Sequence, residues 1–388
     1  MRLFDQPSTG GELCTARLLR GLAQAGHDVT VIGRGQGPRQ ELARMRYLSL
    51  GGGVPAFDDM PLPRRLYIPL AALANGRPIS TQRLHSLGTA RQVQRHLSRM
   101  SDGLDALVVD HLQALDWVTP ALPWLPAPMV VMHNLEADGL QHGSVIACLS
   151  GRDALRMREL AAQRHRTPSV VVLPGYALPP APPDTRPPAA SRGLSPQAVA
   201  QALAQLPAGA RRIGMIGTWT WEPNRAGLQW MLEQVHPLLP EHCHLVLAGS
   251  GLDGVALPPR TVALGRIDTV DSLYRAVDVV AIPSWRGSGV HEKAIEAIGA
   301  GLTVVATPHA LRGLESNLPQ RVHTASDAAG FAQACATAPA AGPGPDATAG
   351  QAWSLQRSQD YRDMLHRCLA LAARGRQGEP VNAPLSAT

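Results

Sequence analysis

Lysine is almost missing from this chain of 388 residues. Of its 36 basic residues 35 are arginine, and Lys293 stands alone. A drift toward arginine codons explains the shortage but leaves open why one position is exempt. Aromatic residues are also few, at 4%. With no helix-turn-helix, zinc-finger or RNA-binding signature beside them, nucleic acid is not an expected partner. The five cysteines, Cys14, Cys148, Cys243, Cys335 and Cys368, lie far apart. None has metal-ligand or redox spacing, which fits a reducing cytoplasm. No apolar run reaches the ~18 residues of a membrane span, and the N-terminus has no signal-peptide apolar region. Acidic residues number 30, so the formal charge is +6. The arginines read as spread along the chain, a general basic surface compatible with peripheral contact at the inner face of a membrane.

What is present is apolar material for full cores, 45% of the chain against 17% charged. Short apolar runs alternate with helical patterns, the sign of parallel βα units. Residues 12–25 place Leu13, Ala16, Leu19, Leu22 and Ala23 on one side of a helix that Gly26 stops, and 27–33 reads as a buried strand. Further strands are expected at 106–110, 129–132, 144–148 and 169–173. From 174 to 212 proline dominates, giving a stiff linker with room for a short helix at 194–206. The pattern then restarts with strands at 212–217, 243–248, 278–282 and 303–306 and helices at 224–235, 270–276 and 291–300. Residues 338–350 read as a loop and 353–373 as a closing helix. The expected organisation is an N-terminal domain 1–174, a Pro-rich linker 175–211, a second domain 212–350, a closing helix 351–374 and a disordered tail 375–388. Two doubly wound α/β domains with a hinge imply a ligand cleft between them.

The chemistry concentrates between Pro283 and Ala297. A strand ends, a Gly287-Ser288-Gly289 loop follows, and a helix begins. Loop amides and a helix N-terminus form an anion site suited to phosphate. Lys293 and Glu296 are three apart and share a helix face. There a lysine can reach a diphosphate and a carboxylate can accept from two vicinal ribose hydroxyls. A plain ion pair on a solvated face is the competing reading. Gly10-Gly11 at a helix start serves either a tight turn or a ligand. His133 stands just past a strand, where a site would lie or where a structural histidine would pack. Trp219 and Trp221 are suited to stacking on a base or sugar, or to the core.

Taken in order, Gly217-Thr218-Trp219 with Trp221-Glu222-Pro223-Asn224, Val246 to Gly251, Leu264-Gly265-Arg266-Ile267, Asp278-Val279-Val280, the Gly-Ser-Gly–Lys–Glu-Ala block and Gly301 to Thr307 resemble the donor-binding half of retaining glycosyltransferases of family 4. Ser8 to Glu12, Gly26 to Val31 and Met132-His133-Asn134-Leu135-Glu136 agree in the first half. The resemblance covers about 8–174 and 212–374. It implies the GT-B fold, with two Rossmann-like domains and a C-terminal helix returning to the first. It also implies a nucleotide-diphospho-sugar donor as co-substrate with no further cofactor, and a saccharide, lipid-linked or natural-product acceptor. By the same resemblance Glu296 binds the ribose and Lys293, Ser288, Gly289 and Val290 the diphosphate. Arg266 and Ile267 would meet the base through main chain, Gly217, Thr218 and Trp219 would line the donor, and Gly10 and Gly11 its phosphate. His133 would act on the acceptor side. Ser288 stands where the first Glu of the family's Glu-x7-Glu motif is expected, a departure at the donor sugar. The stretch between Glu136 and the strand at 144 is short for the family, a departure on the acceptor side.

Catalysis would then rest on stabilising the departing diphosphate through Lys293, loop amides and a helix N-terminus, without a protein nucleophile. No Asp-x-Asp occurs, so a metal-independent course is expected. A catalytically inactive donor-binding scaffold and a sugar-nucleotide epimerase on the same architecture are the alternatives.

Overall fold

A computed structural model describes residues 10–35, 44–52, 60–74, 82, 89–111, 114–119, 121, 125–133, 143–178, 193–287, 289–340 and 345–374. The chain divides into two compact units, Met1–Leu173 with Asp360–Thr388, and Pro174–Gln359.

In the first unit, helix α1 (Gly10–Gln24) buries Leu18, Leu19 and Leu22 and ends at Gly26, whose φ of +81° suits glycine. Strands β1 (Val29–Gly33) and β2 (Met45–Ser49) pair in parallel. Helices α2 (Leu62–Ala74) and α3 (Thr89–Ser98) come next in the chain. A parallel four-stranded sheet follows, formed by β3 (Val108–Asp110), β4 (Met129–Met132), β5 (Val145–Cys148) and β6 (Ser169–Val172) in that order. A short α4 (Leu115–Val118) and the longer α5 (Gly151–Gln163) join them. Every residue of β4 and β5 is buried, which explains why both read as unbroken apolar runs. Ser150 caps α5 by accepting the Asp153 amide at 3.1 Å.

The second unit opens with α6 (Pro196–Leu203), capped by Ser195. Its sheet comprises β7 (Arg211–Ile216), β8 (Cys243–Ala248), β9 (Thr261–Gly265), β10 (Val279–Ile282), β11 (Val304–Ala306) and β12 (Val322–Thr324). All are parallel, in the order β12-β11-β10-β7-β8-β9, so the winding reverses between β7 and β10. Helices α7 (Glu222–Trp230), α8 (Val270–Tyr274), α9 (Glu292–Gly299) and α10 (Ala328–Thr337) fill the crossovers. Alternate residues supply two cores. Val246, Val280, Ile282 and Val304 pack on one face with α6, α8 and α9. Leu245, Leu247, Val279 and Val305 pack on the other with Trp219, Leu228 and Phe331.

Three expectations change. Residues 193–211, read as part of a linker, belong to the second unit, because α6 drives Val199 and Leu203 into its core and Leu194 bridges Ile267. Part of the loop read at 338–350 is helical: α11 runs Pro345–Arg374, held early by Trp353 in the core of the second unit and later by Tyr361 and Leu365 in the first. Strands β2, β9 and β12 were not expected. The tail at 375–388 lies outside the described residues, and no helix among the described residues is long and apolar enough to cross a membrane. All five cysteines are free and buried.

The site end of the second sheet depends on close backbone approach. A Cβ on Gly227 of α7 would stand 1.9 Å from the Pro283 carbonyl oxygen, just past β10. Gly227→Ala is therefore expected to cost about 2 kcal/mol or more, as overpacking against rigid backbone does. A lowered urea midpoint at unchanged slope would register it.

Candidate functional site

Open α/β sheets take ligands beyond the carboxyl ends of their strands at the point where winding reverses. Here that point lies between β7 and β10, and the only lysine is anchored there. Lys293, in the first turn of α9, donates to the Ile216 carbonyl at the end of β7 at 3.1 Å and to Asn224 Oδ1 at 2.8 Å. Asn224 is itself fixed, because its Nδ2 donates to the Thr218 carbonyl at 3.1 Å. Burial pushes the Lys293 ammonium down to about 8, so it is charged near neutrality but not strongly so.

The loop before α9 is held from beneath by a buried guanidinium. Arg312 donates to the Gly287 carbonyl at 3.0 Å and, through two nitrogens, to the Gly289 carbonyl at 3.1 and 2.7 Å. Gly287 and Gly289 have φ of +112° and +75°, so glycine is needed at both. A trans peptide opposes its C=O and N–H. Turning the Gly289 carbonyl toward Arg312 therefore turns the Val290 amide away from it. Around this clamp Ser284 and His291 share a hydrogen bond at 3.1 Å, and Thr307 bonds both main-chain groups of Ser284. Burial, then the charges of Lys293 and Arg312 among its neighbours, push His291 down to about 3. His291 thus stays neutral and serves the scaffold.

The remaining expected donor residues divide. Gly217 and Thr218 sit beside Asn224 at the end of β7, and Gly217 lies so near Gly249 that a Cβ on the latter would be 1.8 Å from its oxygen. Trp219 has its ring buried in the core with Leu228 and Phe331, the core reading of the two that the sequence left open. Glu296, one turn from Lys293, acts on buried Tyr274, whose phenol is raised first by burial and then by that carboxylate. Arg266 and Ile267 form a loop bridged by Leu194, which donates to the Arg266 carbonyl at 2.7 Å and accepts from the Asp268 amide at 3.0 Å. In such a bridge the amide and carbonyl of Ile267 point away from Leu194. Ser288 lies outside the described residues.

The first unit gathers a second cluster. Gly10 and Gly11 open α1, and a Cβ on Gly11 would lie 3.1 Å from the His111 ring and 3.9 Å from His133 Nδ1. The His111 and His133 rings stack at 3.7 Å. His133 Nε2 bonds Asp110 Oδ1 at 2.7 Å, and Thr15 of α1 donates to the other carboxylate oxygen. His111 carries a φ of +66°, a left-handed conformation at the end of β3. Burial pushes the Asp110 carboxyl up, and the bonds and charges of His133, His111 and Thr15 outweigh it, so its net shift is downward. Burial pushes His111 down. One ligand atom from each of Asp110, His111 and His133 lies within 4.8 Å of the others, the spacing of a divalent-cation site. Both Asp110 oxygens are already engaged, however, and the arrangement is that of a carboxylate-oriented histidine.

The two halves match known proteins differently. Residues 210–338 match the family model described as Glycosyl transferases group 1. Across the whole chain, the structure is similar to HepE from Anabaena in complex with UDP-glucose, with 15% identity, 94% of this chain and 97% of that one covered, and a TM-score of 0.54. The chain has the GT-B fold. Sucrose-phosphate synthase from Thermosynechococcus elongatus shares it at 16% identity, with 96% and 92% covered and a TM-score of 0.53. So does the E. coli trehalose-6-phosphate structure bound with UDP-2-fluoro glucose, at 12% identity, 96% of each chain and a TM-score of 0.55. A sequence comparison with curated proteins returns no match.

Sequence reading passed over Asn224, Arg312, Asp110, His111 and Thr15 as site residues. Their signal is positional: each follows or faces a strand's carboxyl end, and only the fold shows which of many such residues converge. Asp110 gives a test. A carboxylate with a lowered folded pKa adds stability above the ordinary value of about 4 and loses it as pH falls through its folded value. The protein is expected to lose urea resistance below about pH 4, and Asp110→Asn, which cannot titrate, is expected to lack that part of the loss.

Proposed function

We propose that this chain is a retaining glycosyltransferase that moves a sugar from a nucleotide-diphospho-sugar to a saccharide-type acceptor without a metal ion, in the cytoplasm. The observation that carries the reading is the anchored Lys293 at the winding reversal, beside a loop that Arg312 holds with the Val290 amide turned away from the guanidinium. An ammonium, a fixed amide and a helix N-terminus at one place suit a diphosphate that gains charge as the sugar leaves. Glu296 is assigned to the ribose hydroxyls, Ile267 main chain to the base, and Gly217 and Thr218 to the wall of the donor pocket. Gly10 and Gly11 are assigned to the donor phosphate, as the resemblance implies, and His133 to the acceptor side. HepE and the E. coli structure bind UDP-sugars, which makes UDP the first nucleotide to try. The acceptor class is a glycan, a lipid-linked saccharide or a small natural product.

One observation favours a different stereochemical course. Asp110 and His133 at 2.7 Å form a pair able to take a proton from an acceptor hydroxyl, as direct displacement with inversion requires. The anomeric configuration of the first-formed product, read by proton NMR, decides between the two.

The primary experiment is nucleotide release from UDP-, GDP- and dTDP-sugars with and without an acceptor extract, in the presence of a chelator. Acceptor-stimulated release is expected for one donor and is expected to survive chelation. Binding of every donor without turnover supports a scaffold instead. Lys293→Ala and Glu296→Ala are each expected to reduce kcat/KM for the donor about tenfold or more, against ~3 kcal/mol for a lost transition-state donor. Unchanged donor kinetics in both would falsify the site. Because the charged lysine binds the diphosphate, donor affinity is expected to weaken as pH rises through about 8. Lys293→Ala should flatten that dependence, which calorimetric titration of UDP would show. Arg312→Lys keeps a charge but loses the planar fork whose three nitrogens reach the Gly287 and Gly289 carbonyls. It is expected to lower kcat/KM by roughly tenfold to a hundredfold, the cost of small misplacement.

A further inference from the structure

The basic excess is not spread along the chain. Residues 60–101 hold seven arginines and no aspartate or glutamate, and the remaining residues sum to −1, so this one segment accounts for the whole formal charge of +6. This replaces the even basic surface expected from the sequence. The segment contains α2 and α3. On α3, Arg91 and Arg95 lie one turn apart and are exposed, while Val93 and Leu97 are buried.

On α2 the usual arrangement of a surface helix is reversed. At about 100° per residue, Ile68, Ala71 and Ala72 fall on one side, and these are the buried residues. Leu62, Leu66, Leu70 and Leu73 fall on the opposite side within about 80° of arc, and they are between 62% and 83% exposed. Tyr67 beside them is 58% exposed. Arg64, in the first turn of the helix, is exposed. Single exposed leucines are ordinary, but four in a stripe on one short helix mark a face that meets something other than water.

We propose that α2 docks the first unit onto an anionic phospholipid surface, with its leucine stripe entering the headgroup–acyl boundary and the exposed Arg64, Arg91, Arg95 and Arg99 meeting lipid phosphates. The charge decides among occupants. A second copy would bring two acid-free arginine segments together, whereas an anionic bilayer supplies an apolar phase for the leucines and counter-charge for the arginines at once. The inference goes beyond the donor reading and does not use it.

The test is flotation of the full chain with phosphatidylcholine vesicles with and without phosphatidylglycerol. Binding is expected only when phosphatidylglycerol is present, and it should weaken as salt is raised. Leu66→Ser/Leu70→Ser/Leu73→Ser alters exposed positions and is expected to keep the melting temperature and UDP affinity while losing vesicle binding roughly tenfold or more. Arg91→Gln/Arg95→Gln is expected to bind phosphatidylglycerol vesicles more weakly. The proposal is overturned if the chain stays in the aqueous fraction with phosphatidylglycerol, or if the triple variant floats as the parent does. It is equally overturned by a dimer, seen in sedimentation, that the triple variant abolishes. Loss of UDP binding in the parent chain sinks the donor reading alone, and loss of flotation sinks this one alone.

Discussion

A buried guanidinium is costly unless its N–H groups find acceptors. Arg312 finds them in backbone: the carbonyls of Gly287 and Gly289, with His309 at 3.5 Å. The loop between β10 and α9 takes its form from that requirement. Its glycines turn to positive φ because the carbonyls must point at Arg312, and the Val290 amide is left pointing the other way. The clamp reaches the sheet through Thr307, which caps the turn where Arg312 sits and bonds Ser284 at the end of β10. The loop is thus tied to two strand ends and keeps its shape before any ligand arrives, which is what electrostatic preorganisation requires.

The first unit solves a related problem with different chemistry. Asp110 is buried at the end of β3 and would be expensive to ionise alone, yet its pKa moves down because His133, His111 and Thr15 face it. The left-handed backbone at His111 lets that ring stack on His133, and Gly11 leaves room for both. Strain, a missing side chain and a shared carboxylate converge on one histidine. Such convergence is more often found at functional sites than in structural cores.

How much of this was legible in the sequence follows from burial. Strands β4, β5, β8 and β10 are buried on both faces and announce themselves as apolar runs. The unexpected strands β2, β9 and β12 all lie at sheet edges, where exposure on one side dilutes the pattern. The helix at 345–350 hid behind its glycines and prolines, since tertiary packing of Trp353 overrides weak propensity there. Lys293 and Glu296 were visible because their spacing and the preceding glycines are local. Arg312 and Asp110 were not, because each acts on residues that adjoin it only in three dimensions. Trp219 was left between two readings for the converse reason: a tryptophan beside a glycine turn has one appearance in sequence whether it faces a ligand or the core, and its ring is in the core.

Codon drift explains why lysines are missing but not why one is kept at residue 293. Lys293 enters a narrow space between the end of β7 and Asn224, where its small ammonium makes two bonds about 3 Å long to oxygens in different directions. An ammonium has three N–H donors radiating from one atom, so two anchors still leave one free to meet a ligand among the described residues. A guanidinium is planar, and its five donors are aimed in a fixed fork. Burial also lowers the lysine to about 8, which an arginine would not allow. A cation that is held, charged near neutrality but with its proton loosened by burial, is a state open to this amine and closed to a guanidinium. Geometry and proton affinity together therefore give this position a reason to resist the drift that replaced lysine elsewhere.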